Sequence, residues 1–189
     1  MTLYPFALFL HIIGSMLLFI AFTVEGVGLF HMRRASTPDQ VAQWERVLGL
    51  ARVFGPASVV AILLPGLYMM FTSWGWVPWI AVGLIAWALI AVMGAINGIR
   101  LAMIVRRTSA DASLIAHIHA PSFVVSWFTR LALAVSIVFL MTNKPQLAWA
   151  LLCVAIAAVI GIGAGVLASR RRLTGNGTRE YAPVSGRET

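Results

Sequence analysis

Five long apolar runs, each of at least twenty residues, decide the solvent of this chain before any other feature does. They cover about Tyr4 to Phe30, Phe54 to Ser73, Trp76 to Val105, Ser122 to Met141 and Gln146 to Ala168. Crossing a hydrocarbon core takes roughly 20 residues of helix, so each run is long enough to span a bilayer. A hydrophobic fraction of 60% against a charged fraction of 11% leaves too little polar surface for a soluble globule of 189 residues. The expected fold is therefore all-α, a polytopic membrane bundle of five transmembrane helices over residues 1–170. Residues 171–189, rich in Gly, Thr and Arg with few apolar side chains, are expected to form a disordered basic cytoplasmic tail.

The net charge of +8 excludes less than it seems to, because the arginines stand in short clusters beside apolar runs. A nucleic-acid face would interleave them with aromatics in one stripe, so topology explains them better. Arg33, Arg34, Arg46 and Arg52 follow the first run, Arg100, Arg106 and Arg107 close the third, and Arg170 to Arg172 follow the fifth. By the positive-inside rule these three regions are cytoplasmic, which puts the N-terminus outside and the C-terminus inside. Tyr4, Trp74, Trp76, Trp79 and Trp149 then form an aromatic belt on the outer side, where Lys144 is the only basic loop residue. Met1 to Pro5 carries no charge and no cleavage site follows, so the first run is expected to stay as a helix rather than act as a signal peptide.

Thr37-Pro38-Asp39-Gln40 has the form of a capping box, with Pro at the first helical position. The helix it starts places Val41, Trp44, Leu48 and Ala51 at helical spacing, flanked by Gln43, Glu45, Arg46 and Arg52. This pattern predicts an amphipathic helix lying in the cytoplasmic interface, with Gly55-Pro56 turning the chain into the second span. A second short interfacial helix is expected between Arg106 and Ala120, capped by Ser109 or Asp111. Small residues recur at four-residue spacing in the fifth run (Cys153, Ala157, Gly161, Gly165) and as a GxxxG pair, Gly94 and Gly98, in the third. Such stripes bring helix backbones together, within one bundle or across a dimer.

The only charges inside the spans are Glu25, Arg100 and Arg130. Counted along the helical rise, Glu25 lies roughly 9 Å and Arg130 roughly 12 Å from the cytoplasmic side. Matching depth makes these two the preferred pair, with Arg100 and Arg52 near the same level and Asn97 one turn from Arg100. Intramembrane charges serve either as a structural ion pair or as a polar site for a proton, an anion or a headgroup. On the first helix His11, Ser15, Leu18, Phe22, Glu25 and Leu29 fall on one face, which should turn into the bundle. His11 lies about 20 Å from Glu25 along the axis, so the two belong to different sites.

For His11 the alternatives are a neutral histidine bonded to a neighbouring helix and an axial ligand of haem b. Met69 and Met70 are the sixth-position candidates, since no second histidine lies well inside a span. His117 and His119, with Asp111, could bind a transition metal or form a solvated loop. Cys153 is alone in the chain, which excludes an intrachain disulfide and a cysteine zinc site.

The phrase Phe9-Leu10-His11-Ile12-Ile13-Gly14 resembles the opening helix of small bacterial integral membrane proteins of unknown function. More remotely it resembles the haem-binding bundles of the copper-resistance D family and of the protoporphyrinogen oxidase HemJ. That resemblance implies a helical bundle in a bacterial plasma membrane and, for His11 alone, a role in haem binding.

Three functions compete on these grounds. The first is a non-enzymatic partner subunit or small carrier, whose polar site comprises Glu25, Asn97, Arg100 and Arg130 and whose partners are the bilayer and another membrane protein or a second copy. The second is a redox protein linked to haem or quinone through His11. A lipid-modifying enzyme would need clustered carboxylates, and Glu25 is the only acid within a span. Orientation is checked by labelling: in a Cys153→Ser background, Lys144→Cys should react with an impermeant maleimide from outside and Ser185→Cys only after permeabilisation. The reverse pattern would overturn the N-out, C-in assignment.

Overall fold

In lipid every backbone N–H and C=O must find a partner within the protein, and the chain meets that demand with helices throughout its apolar runs. The computed structural model describes residues 3–35, 37–107 and 120–175. These form α1 (Tyr4–Met32), α2 (Pro38–Met69), a π-helical turn (Met70–Trp74), α3 (Pro78–Arg107), α4 (Pro121–Asn143) and α5 (Leu147–Gly175). Five helices among them are long and apolar enough to cross a membrane. The expected helix within Arg106 to Ala120 lies outside the described residues apart from the end of α3, as do His117, His119 and the tail from 176 onward. Residues 171–175, assigned above to the tail, continue α5.

Thr37 caps α2 as its sequence predicts, its Oγ1 accepting the Gln40 N–H at 3.4 Å. The expected turn at Gly55-Pro56 is absent, and α2 runs through Pro56 and Pro65 as one helix. Packing explains the difference. Val41 and Leu48 are 2% and 4% exposed against Leu29, Met32 and Phe123, and His31 of α1 stacks on Trp44 with ring centroids 4.2 Å apart. The face expected to lie on lipid headgroups is thus covered by α1 and α4, which aligns residues 38–53 with the span that follows. Pro56 has no N–H to return to the Arg52 carbonyl, while the Ser58 hydroxyl donates to the Gly55 carbonyl at 2.6 Å.

α1 packs chiefly on α2, whereas α4 packs on α5 and α3 and meets α1 only sparingly. Half of the apolar window of α4 is buried, against 11% for α2, so α4 is the central helix. Tyr4, Trp74, Trp79 and Lys144 gather at one end of the bundle: the Trp74 indole N–H donates to the Tyr4 hydroxyl at 3.4 Å, its ring meets Trp79 edge-on, and Lys144 Nζ sits 4.0 Å above it. Met32, Val41 and Phe123 pack at the other end.

Two glycines of α5 set the closeness of the central contact. A Cβ at Gly161 would stand 2.6 Å from Thr129 Cα and one at Gly165 2.5 Å from Val125 Cα, so both face the α4 backbone. The small-residue stripe of α5 is therefore used inside the chain. The α3 pair behaves otherwise: Gly94 makes room for the Arg130 guanidinium, and Gly98 has nothing within 4 Å. Gly165→Val should accordingly cost about 1–3 kcal/mol of stability, the usual range for overpacking, and lower the thermal midpoint in detergent. Gly98→Ala should leave it unchanged, and equal effects of the two would contradict this packing.

Candidate functional site

Arg130 is only 5% exposed although α4 is surrounded by apolar neighbours, so its charge needs a partner close by. Glu25 of α1 supplies it, with Arg130 Nη2 donating to Glu25 Oε1. Phe22, one turn before Glu25, places its ring 5.6 Å from the guanidinium carbon, and Gly94 of α3 leaves the space on the Nη1 side. Of the arginines near this level, Arg52 is engaged by Glu45 at 2.9 Å on its own helix. Arg100 is exposed and forms no ion pair with a described residue.

The register that brings the pair together is held by Trp127, one turn before Arg130 on α4. Its indole N–H donates to the Phe22 carbonyl at 3.0 Å, and its ring lies where a Cβ on Gly26 would be, 2.5 Å from the ring atom Cζ2. Phe30 meets the same ring edge-on at 5.9 Å. Trp127 and Gly26 were not among the expected site residues. A glycine directly beside the only acid within the apolar runs was the available signal for Gly26, and Trp127 had none.

The pair stands in the wall of a cleft of about 460 Å³. Buried Phe22, Leu29, Ile90, Leu101 and Phe123 form its floor, and exposed Arg52 and Pro56 of α2 and Ala95 and Ile99 of α3 form its rim. α2 and α3 barely touch, so the cleft opens between them. Asn97 lines it, half-buried, with Nδ2 buried and without a hydrogen-bond partner among the described residues. The structure thus brings Glu25, Arg130 and Asn97 to one cavity and leaves Arg100 outside its lining.

No protein family, curated protein or solved structure matches the chain. The resemblance to haem-binding bundles therefore stands on the phrase around His11 alone. His11 Nδ1 is 2.9 Å from the Ile62 carbonyl of α2, and its ring faces Gly66, where an added Cβ would come within 3.2 Å. Next to it Gly14 lets α1 approach the α2 backbone, with a Cβ there only 2.8 Å from the Ala61 carbonyl carbon. His11 does not line the cleft, in keeping with the separation expected from its depth. Among the described residues no three of His, Cys, Asp and Glu come close enough together to hold a metal ion.

Proposed function

We propose that the chain is a bacterial plasma-membrane protein, N-terminus out and C-terminus in, that acts without covalent chemistry as a small carrier or binding subunit. Its ligand occupies the cleft between α2 and α3. The supporting observation is the combination of a cleft of roughly 460 Å³ between α2 and α3 with a buried ion pair in its wall. Pockets that bind small molecules are typically apolar with a few fixed polar groups, and intramembrane charges commonly mark ligand paths. The exposed rim residues Pro56, Ala95 and Ile99 would let an apolar ligand enter from the bilayer beside Arg52. A membrane-protein partner or a second copy could receive or deliver it.

One observation favours the redox reading for His11. A bond from its Nδ1–H to the Ile62 carbonyl leaves Nε2 as the free lone pair, which is the arrangement histidine ligands usually adopt. The same bond serves equally well to hold α1 on α2. A haem b at this place would take His11 as its axial ligand, with Met69 and Met70, both buried, as the candidates for the sixth position.

One preparation tests both. Protein purified in mild detergent is extracted for mass spectrometry of retained small molecules, beside a Gly98→Phe variant that puts a ring into the cleft at a position where a Cβ meets nothing within 4 Å. The same samples give absorption spectra, oxidised and dithionite-reduced. The cleft reading expects an apolar or amphiphilic molecule retained by the unaltered protein and lost from Gly98→Phe, with no Soret band. A Soret band that disappears in His11→Ala would put the redox reading first.

A further inference from the structure

The cleft carries more chemical detail than its volume. This inference rests on the cleft being a ligand site and asks what headgroup it would take. Its charged lining residues are Glu25, Arg52 and Arg130, and each is already paired, Glu25 with Arg130 and Arg52 with Glu45. The two pairs sum to zero charge. An anionic headgroup would have to compete with Glu25 for Arg130 or with Glu45 for Arg52, and a cationic one with Arg130 for Glu25; separating the buried Glu25–Arg130 pair is the costly step, while Arg52 keeps its exposed partner.

One uncharged polar side chain of the lining remains without a partner among the described residues. Asn97 offers a side-chain amide whose Nδ2 has no hydrogen bond among the described residues, and a buried unmade bond of this kind is unfavourable to the folded protein. With no partner to distinguish oxygen from nitrogen, either end of that amide can face the cleft, as donor or as acceptor. A carbonyl oxygen complements the amide N–H and a hydroxyl complements the amide carbonyl. Around it the surface is aliphatic and aromatic and continues to the open rim, so an alkyl or isoprenoid chain can leave toward the bilayer.

We infer that the cleft binds an uncharged amphiphile whose headgroup carries a carbonyl or hydroxyl, held by Asn97 with its chain in the opening between α2 and α3. Asn97 is thereby a binding residue whose amide has no structural task in the free protein. Its replacement by Leu should leave the fold at least as stable while weakening the ligand.

The test compares two probes of equal chain length, a monoacylglycerol and a fatty acid, each with a diazirine in the chain. Both are presented to the protein in phosphatidylcholine nanodiscs at alkaline pH, where the acid is ionised. Crosslinks are mapped by peptide mass spectrometry, and thermal midpoints are read on the same variants. The monoacylglycerol should label α2 and α3 cleft peptides, and more strongly than the fatty acid. Labelling should fall about fivefold or more in Asn97→Leu, the loss expected for one hydrogen bond, without a lower thermal midpoint. Stronger labelling by the fatty acid, or labelling insensitive to Asn97→Leu, would overturn the headgroup inference while leaving the cleft as a binding site. Labelling unaffected by Gly98→Phe would overturn the cleft reading itself.

Discussion

A carboxylate and a guanidinium facing each other inside an apolar bundle restrict everything around them. Neither charge of the Glu25–Arg130 pair can be left in hydrocarbon alone, so α1 and α4 must meet at one depth. These two helices otherwise share little backbone contact, and the halves α1–α2 and α3–α4–α5 meet through side chains at this level and in the cluster of Leu29, Met32, Val41 and Leu48 with Leu101 and Phe123. Trp127 on Gly26 and Arg130 against Gly94 are the steric counterparts of that join. Where the halves part, between α2 and α3, the cleft opens. Ligand site and weak seam are thus one feature, and an occupant there would bear on how the halves sit together.

Proline and glycine do the shaping that hydrophobicity cannot do in lipid. Gly14, Gly161 and Gly165 let backbones approach within the distance that packing attraction needs. Pro56 and Pro65 stay inside α2, and each leaves a carbonyl without its helical partner, Arg52 beside the cleft and Ala61 against Gly14. At the far end of α2 the π turn closes with the Gly75 N–H on the Met70 carbonyl at 2.7 Å, and Gly75 takes φ +66°, a conformation that favours glycine.

The five spans could be read from the sequence because lipid exposure demands uniform apolarity over a fixed length, and the Thr37 cap because its chemistry is local. The pairing of Glu25 with Arg130 could be read from depth, since isolated charges within spans are few and the helical rise is constant. The course of α2 could not. Gly55-Pro56 is a local break signal, and only the burial of Val41 and Leu48 against another part of the chain overrides it. Nor could the roles of Gly94 and Gly98 be read, because a GxxxG pair looks the same whether it receives a helix, a guanidinium or an open cleft. Asn97 was placed near the polar cluster by its register on α3, but its lack of a partner is a fact of three dimensions.

The most direct test of the account is a double-mutant cycle on the pair, reading unfolding free energy in detergent for Glu25→Leu, Arg130→Met and the two combined. Removing one partner of a buried pair typically costs about 3–5 kcal/mol, less here because the Glu25 side chain is 26% exposed. If the pair joins the two halves, each single change destabilises and the combination recovers most of the loss, giving a coupling above about 1 kcal/mol. Losses that simply add would contradict it, placing the join elsewhere and making the contact between the two side chains incidental.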